Sequence, residues 1–276
     1  MNWIKEIKAI IFDMDGTLYQ EDTFLGRYLT YLLEDSCSER EIESVIKAAY
    51  KILNGEHFVS LGHFYVLNRN HFCTHKDLVP GHAFSWEGQR LQQRDLKDSD
   101  LFYIGDPWCI ALVFAKKYGV SVEVGMNAFK RVRAEMLTPE FAIPRDERLI
   151  QALKHLDVDT KILITNSPFE SGEVFLEYLD VLPYFNQTIY DGKKPKGIET
   201  IMNDLIEKGY QPEEILSIGD NPFNDLHPAR KRGARTVLIS DYHRADSTPW
   251  DYQVRNIDEL ASFLLKFGKR QAAINE

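Results

Sequence analysis

The chain of 276 residues carries 42 acidic side chains against 33 lysines and arginines, a formal charge of -9, which argues against a nucleic-acid or anionic-membrane surface, since either needs a basic patch. With 44% hydrophobic residues it can bury one large core or two modest ones, and no apolar run approaches the roughly 20 residues that cross a bilayer. Three cysteines, Cys37, Cys73 and Cys109, form no CxxC pair; an odd count behind a start unlike a signal peptide fits a soluble protein in a reducing, cytoplasmic setting better than a disulfide framework.

The first predicted element is a strand through Ile10, Ile11 and Phe12 that runs straight into Asp13-Met14-Asp15-Gly16-Thr17. An unbroken apolar, β-branched run reads as a central parallel strand buried on both faces. Open α/β sheets bind ligands beyond the carboxyl ends of such strands. Asp13 and Asp15 lie two residues apart and so can share a face, where their mutual repulsion calls for a cation; a hard divalent metal is the natural one.

The pattern then turns helical. Amphipathic spacing marks helices near residues 23–33 and 107–118 and another from Ser121 or Asn127 to Met136, and Ser38-Glu39-Arg40-Glu41 is a capping box opening a helix that Gly55 would end. Between residues 54 and 100, rich in His, Gly and aromatics, no period persists long enough to assign elements. A proline-bounded stretch, Thr138-Pro139-Glu140-Phe141-Ala142-Ile143-Pro144, reads as the return linker.

From Arg145 helix and strand alternate: helices near 146–156, 171–179, 198–208, 225–232 and 258–267, strands near 161–165, 187–190, 215–219 and 235–239. This alternation implies a parallel sheet with helices on both faces. Its strand ends present Thr165 and Asn166, then Lys194 before Pro195, then Asp220 and Asp225 beyond Gly219.

Four segments in this order resemble the signature motifs of the haloacid dehalogenase superfamily, whose members are mostly Mg²⁺-dependent phosphatases. They are Asp13-Met14-Asp15-Gly16-Thr17, Ile164-Thr165-Asn166-Ser167, Lys194-Pro195-Lys196-Gly197 and Ile218-Gly219-Asp220-Asn221-Pro222-Phe223-Asn224-Asp225-Leu226. The resemblance implies a Rossmann-like α/β core over residues 1–18 and 142–276, with residues 19–141 a largely helical cap inserted after the first strand. That insertion is long for a cap of its type.

By the same resemblance Asp13 is the nucleophile that forms an aspartyl-phosphate, and Asp15 is the general acid/base that protonates the leaving alcohol and then activates water. Dehalogenases of the superfamily typically lack an acid at that place, so Asp15 favours phosphoryl transfer. Thr165 and Asn166 would meet the phosphate oxygens, and Lys194 would neutralise charge shared by Asp13 and the phosphoryl group. Asp13, the carbonyl of Asp15 and Asp220 would hold Mg²⁺, with Asp225 a direct or water-mediated partner.

The expected activity is hydrolysis of a small phosphorylated metabolite, with a phosphomutase or phosphotransferase, or a non-catalytic phospho-ligand-binding protein, as alternatives. Other features have plainer readings. His71-Phe72-Cys73-Thr74-His75 lacks a fourth zinc ligand at recognisable spacing. Lys130, Arg131 and Arg133 read as a solvated helix face before a substrate-anion site. Trp86, Phe102, Tyr103 and Trp108 read as core of the insertion before an active-site entrance.

Overall fold

The computed structural model describes residues 2–67, 69–92 and 100–267. Two compact units emerge, one from Met1–Glu21, Ile143–Asp241 and Trp250–Glu276, the other from Asp22–Ala142 and Tyr242–Pro249. Residues 68 and 93–99 of the expected insertion and 268–276 of the expected core lie outside the described residues.

Strand β1 (Ala9–Phe12) opens the first unit and is buried along its whole length, as a middle strand covered on both faces must be. The second unit begins with α1 (Phe24–Leu33) and α2 (Glu39–Leu53). The capping box forms: the Ser38 backbone N–H and hydroxyl both donate to Glu41 Oε2, at 2.9 and 2.7 Å. The stretch without a readable period holds three short strands, β2 (Phe64–Val66), β3 (His71–Lys76) and β4 (Val79–Phe84), which with β5 (Leu101–Tyr103) just beyond it form an antiparallel sheet of order β4-β3-β2-β5.

The three-residue β2 and β5 are too brief to display a period of two, and burial does not alternate along the six-residue β3 and β4. The β3–β4 hairpin turns at Asp77 and Leu78, both left-handed at φ 48° and 64°; that turn normally announces itself through Asn or Gly, and Leu conceals it. The unit continues with α3 (Pro107–Lys117), capped by Asp106, and α4 (Val122–Glu135), capped by Ser121. Aromatics build its core: Trp108 stacks on Phe24 at 3.9 Å, Trp86 meets Phe72 edge-on, and Tyr103 packs against Phe64. Lys130 and Arg131 are exposed, but Arg133 is buried beside the Trp108 and Phe129 rings, which corrects the solvated-face expectation for that residue. An arginine stem and its weakly hydrated guanidinium can pack on aromatic faces where a lysine ammonium is less at ease.

Residues 242–249 join this second unit although they lie between core strands in sequence. Ala245 N–H donates to Leu61 O at 2.7 Å, Arg244 Nη1 to Gly105 O at 2.7 Å, and Tyr103 Oη to Asp246 Oδ2 at 2.8 Å. No sequence motif marks this excursion.

The first unit resumes with α5 (Glu147–Lys154), β6 (Thr160–Ile164), α6 (Phe169–Tyr178), β7 (Gln187–Ile189) and α7 (Lys196–Glu207). It ends with β8 (Ile215–Gly219), α8 (His227–Lys231), β9 (Arg235–Ile239), β10 (Tyr252–Val254) and α9 (Ile257–Leu264). Its described strands form a six-stranded parallel sheet of order β10-β9-β8-β1-β6-β7. Ile11, Ile162, Ile164, Ile198, Met202 and Ile215 are among the residues packed beneath it.

Phe12 pairs with Leu163 on one side and Ile218 on the other, so β1, β6 and β8 end level. The chain moves outward through β6 and β7 and then returns to β8 on the far side of β1. That reversal is the switch point at which such sheets bind ligands.

Candidate active site

Level strand ends place Asp13 beside Ile164 and Gly219, with Thr165 and Asp220 one residue further on. Asp13 extends the ladder, its N–H donating to Ile218 O at 3.0 Å, and its carboxyl is buried. Thr17 Oγ1 donates to Asp13 Oδ2 at 2.8 Å and Lys194 Nζ to Asp13 Oδ1 at 2.5 Å. The same ammonium reaches Asp225 Oδ1 at 2.8 Å, so Lys194 is the cation shared by two buried carboxylates.

Asp225 is placed by its local backbone. The helix expected at 225–232 starts instead as a wider turn over Pro222–Leu226, with Asn221 Oδ1 accepting from Asn224 N–H. This turn folds Asp225 Oδ2 back onto the Asn221 N–H at 3.0 Å, and Ser217 Oγ donates to the Asp225 carbonyl at 2.7 Å. Oxygens of Asp13, Asp220 and Asp225 all lie within 4.8 Å of one another. Three hard carboxylate donors at that spacing suit a divalent cation.

Two glycines make this convergence possible. A Cβ on Gly16, whose φ is +79°, would lie 2.3 Å from the Asp220 carboxylate, and one on Gly219 would lie 2.4 Å from that of Asp225. Any side chain at either position would push a carboxylate out of the cluster.

Asp13 and Asp225 share the ammonium of Lys194, and an oxygen of Asp220 lies within 4.8 Å of oxygens on both. Burial raises the Asp13 carboxyl to about 7, Lys194 opposes the rise, and the Asp225 and Asp15 charges add to it. For Lys194, burial is the largest single influence and pulls downward, but Asp13 and Asp225 more than reverse it and keep the amine protonated. Burial and the neighbouring carboxylates disfavour the charged form of Asp13, and a divalent cation would offset both, so the trio fits one by its charges as well as by its spacing.

Asp15 stands partly exposed beside the trio. Its Oδ1 accepts from Tyr19 Oη at 2.5 Å; its Oδ2 accepts from Ser167 Oγ at 3.0 Å and from Thr165 Oγ1 at 3.3 Å. Thr165 Oγ1 also accepts from the Ser167 N–H at 3.0 Å. Asn166 Oδ1 is engaged by the Lys194 backbone N–H at 2.8 Å, which anchors the lysine loop and leaves the Asn166 amide hydrogens as its donors. In that loop Asp191 and Lys193 take left-handed backbone at φ 47° and 50°, conformations that cost free energy and cluster at functional sites.

All seven residues singled out in the sequence thus fall in the first unit, at the carboxyl ends of its strands. Sequence reasoning missed Thr17, Tyr19, Ser167, Ser217 and Asn221. Ser167 and Asn221 lie inside the motif segments, but hydroxyl and amide side chains are common in loops and carry no distinguishing signal there. Among the described residues no other group of histidines, cysteines and carboxylates is placed to hold a metal, so His71, Cys73 and His75 on β3 do not form one.

A family model described as haloacid dehalogenase-like hydrolase matches residues 7–233. No curated protein matches the chain. Among solved structures, one titled a predicted phosphoglycolate phosphatase from Haemophilus somnus is 16% identical, covers 94% of this chain and 98% of its own, and has a TM-score of 0.53. A haloacid dehalogenase-like family hydrolase from Streptococcus pneumoniae is 15% identical over 94% and 98%, with a TM-score of 0.50. At such identities the likeness establishes the fold.

Proposed function

The chain belongs to the haloacid dehalogenase-like hydrolase family, and from that premise we propose that it hydrolyses a small phosphate monoester through an aspartyl-phosphate on Asp13. The observation that carries this reading is the buried Asp13 carboxyl, 2.5 Å from Lys194 and grouped with Asp220 and Asp225. Dry surroundings strengthen every charge interaction there, as a reaction at an anionic, inert ester requires.

In the first step Asp13 attacks phosphorus as the phosphorus–ester-oxygen bond breaks, and the departing oxygen takes a proton from Asp15. In the second, a water oxygen attacks the same phosphorus while Asp15 takes back a proton, freeing inorganic phosphate and Asp13. Lys194 neutralises negative charge on Asp13 and the phosphoryl oxygens. The Thr165 hydroxyl and the Asn166 amide donate to those oxygens. Mg²⁺, held by Asp13, Asp220, the Asp15 carbonyl and directly or through water by Asp225, would supply further charge neutralisation. The inserted second unit serves as the cap that selects the leaving group. The three unlinked cysteines support work in the cytoplasm.

Product analysis tests the proposal. Inorganic phosphate in step with free alcohol indicates hydrolysis; phosphate moved to another hydroxyl of an intact sugar indicates a mutase, and tight binding without turnover indicates a phospho-ligand-binding role.

A further inference from the structure

Asp15 has an unusual retinue for a partly exposed carboxyl: three hydroxyl groups donate to it, divided between its two oxygens. Oδ2 faces Ser167 and Thr165, the second of which also borders the phosphate subsite proposed above. Oδ1 is claimed by Tyr19 alone among these, at 2.5 Å. The contact is local, since the turn after β1, in which Thr17 and Leu18 N–H groups both donate to Met14 O, brings Tyr19 back alongside Asp15. Tyr19 is 2% exposed and its ring packs at 5.9 Å against Phe175 of α6. Its hydroxyl is therefore held by packing as well as by the hydrogen bond.

A carboxyl that must give a proton to one oxygen atom and later take one from another must keep the same oxygen facing the reaction. Free rotation about its Cβ–Cγ bond would spread it over many orientations, and productive geometry is lost within fractions of an ångström. We propose that Tyr19 is the positioning residue of Asp15: it holds Oδ1, and Oδ2, beside the Thr165 hydroxyl that borders the phosphate subsite, exchanges the proton, the Ser167 and Thr165 hydroxyls turning from donor to acceptor when Oδ2 carries it. This assignment rests on the phosphatase reading. In it Tyr19 keeps its own proton throughout; the proton on Oδ2 passes to the ester oxygen as the phosphorus–oxygen bond breaks, and a proton of the attacking water returns to Oδ2.

The test is Tyr19→Phe, which preserves the ring against Phe175 and removes only the hydroxyl, assayed with Mg²⁺ on an alkyl phosphate and on nitrophenyl phosphate. An alkoxide cannot depart without a proton, whereas a nitrophenolate can. General acid catalysis contributes roughly 10²–10⁴-fold, so loss of its positioning should lower kcat/KM, which reports the steps up to departure of the leaving group and not the water step common to both esters, about tenfold or more on the alkyl ester and less than about twofold on the nitrophenyl ester. The ratio between the two esters is independent of the folded fraction, so a destabilised variant still reports it. Equal losses on both esters, or no loss on either, would overturn the assignment. A native protein inert toward both esters would overturn the phosphatase reading, and this role for Tyr19 with it; Asp13→Asn as active as native on both would do the same.

Discussion

Both units bury ionisable groups, but they do so to different ends. In the parallel-sheet unit Asp13, Lys194, Asp220 and Asp225 converge from three loops, and burial together with neighbouring charges raises Asp13 to about 7. In the inserted unit the buried groups also touch, His63 beside His75 and His75 Nε2 4.0 Å from Asp246 Oδ2, but among the described residues no trio there is placed to hold a metal. His63 is pushed down to about 4, mainly by burial, and so stays neutral while accepting from the Ser60 N–H; Asp246 is wrapped by Tyr103 and Thr248. Burial alone silences a titratable group, whereas burial among convergent charges tunes one. The proposed function accordingly puts the chemistry in the first unit.

Chelation should break that comparison most sharply if it is wrong. Thorough EDTA treatment is expected to abolish turnover and added Mg²⁺ to restore it, with no comparable effect on the inserted unit's aromatic core as followed by near-ultraviolet dichroism; activity that survives chelation removes the trio from the mechanism. Next in size, Asp15→Asn should lower kcat/KM on an alkyl phosphate by roughly 10²–10⁴-fold, read in steady-state kinetics. A smaller loss than Tyr19→Phe produces would reverse the hierarchy between the two residues.

Phe72→Ala sharpens the contrast from the other side. Deleting this fully buried ring should cost about 3–5 kcal/mol of stability in a denaturant melt, while nitrophenyl phosphate turnover per folded molecule stays near native. A collapse of turnover in the folded protein would give the inserted unit a chemical role. The smallest effect concerns pH. Because Asp13 in the folded, metal-free protein holds its proton more tightly than the ordinary carboxyl near 3.8, its contribution to stability is complete below about 4 and is lost as pH rises through about 7. The slope cannot exceed about 1.4 kcal/mol per pH unit for one proton, and both Asp13→Asn and saturating Mg²⁺ should flatten it; a melt series from pH 5 to 8 reads it directly.

The catalytic unit was largely legible in the sequence because its signals are local and ordered. Strand Ile215–Gly219 and strand Arg235–Ile239 stand where their apolar runs place them, and Asp13 and Asp220 follow their strands without a gap. Elements that depend on tertiary partners were not legible. The four-stranded sheet of the inserted unit rests on pairings between strands as short as three residues and on a Leu-bearing turn. Residues 242–249 leave the core for reasons visible only in their partners, Leu61, Tyr103 and Gly105. Tyr19 reads as one more apolar residue after the first strand, and its hydroxyl acquires meaning only once the turn is folded.

The most direct test of the account is phosphate release from a panel of sugar phosphates, nucleotides, phosphoglycolate and an aryl phosphate with Mg²⁺, native protein beside Asp13→Asn. The account predicts release from at least one ester by the native protein and its loss in a variant that remains folded. Near-native release by Asp13→Asn would contradict it, because the buried carboxyl between Thr17 and Lys194 would then not be the nucleophile.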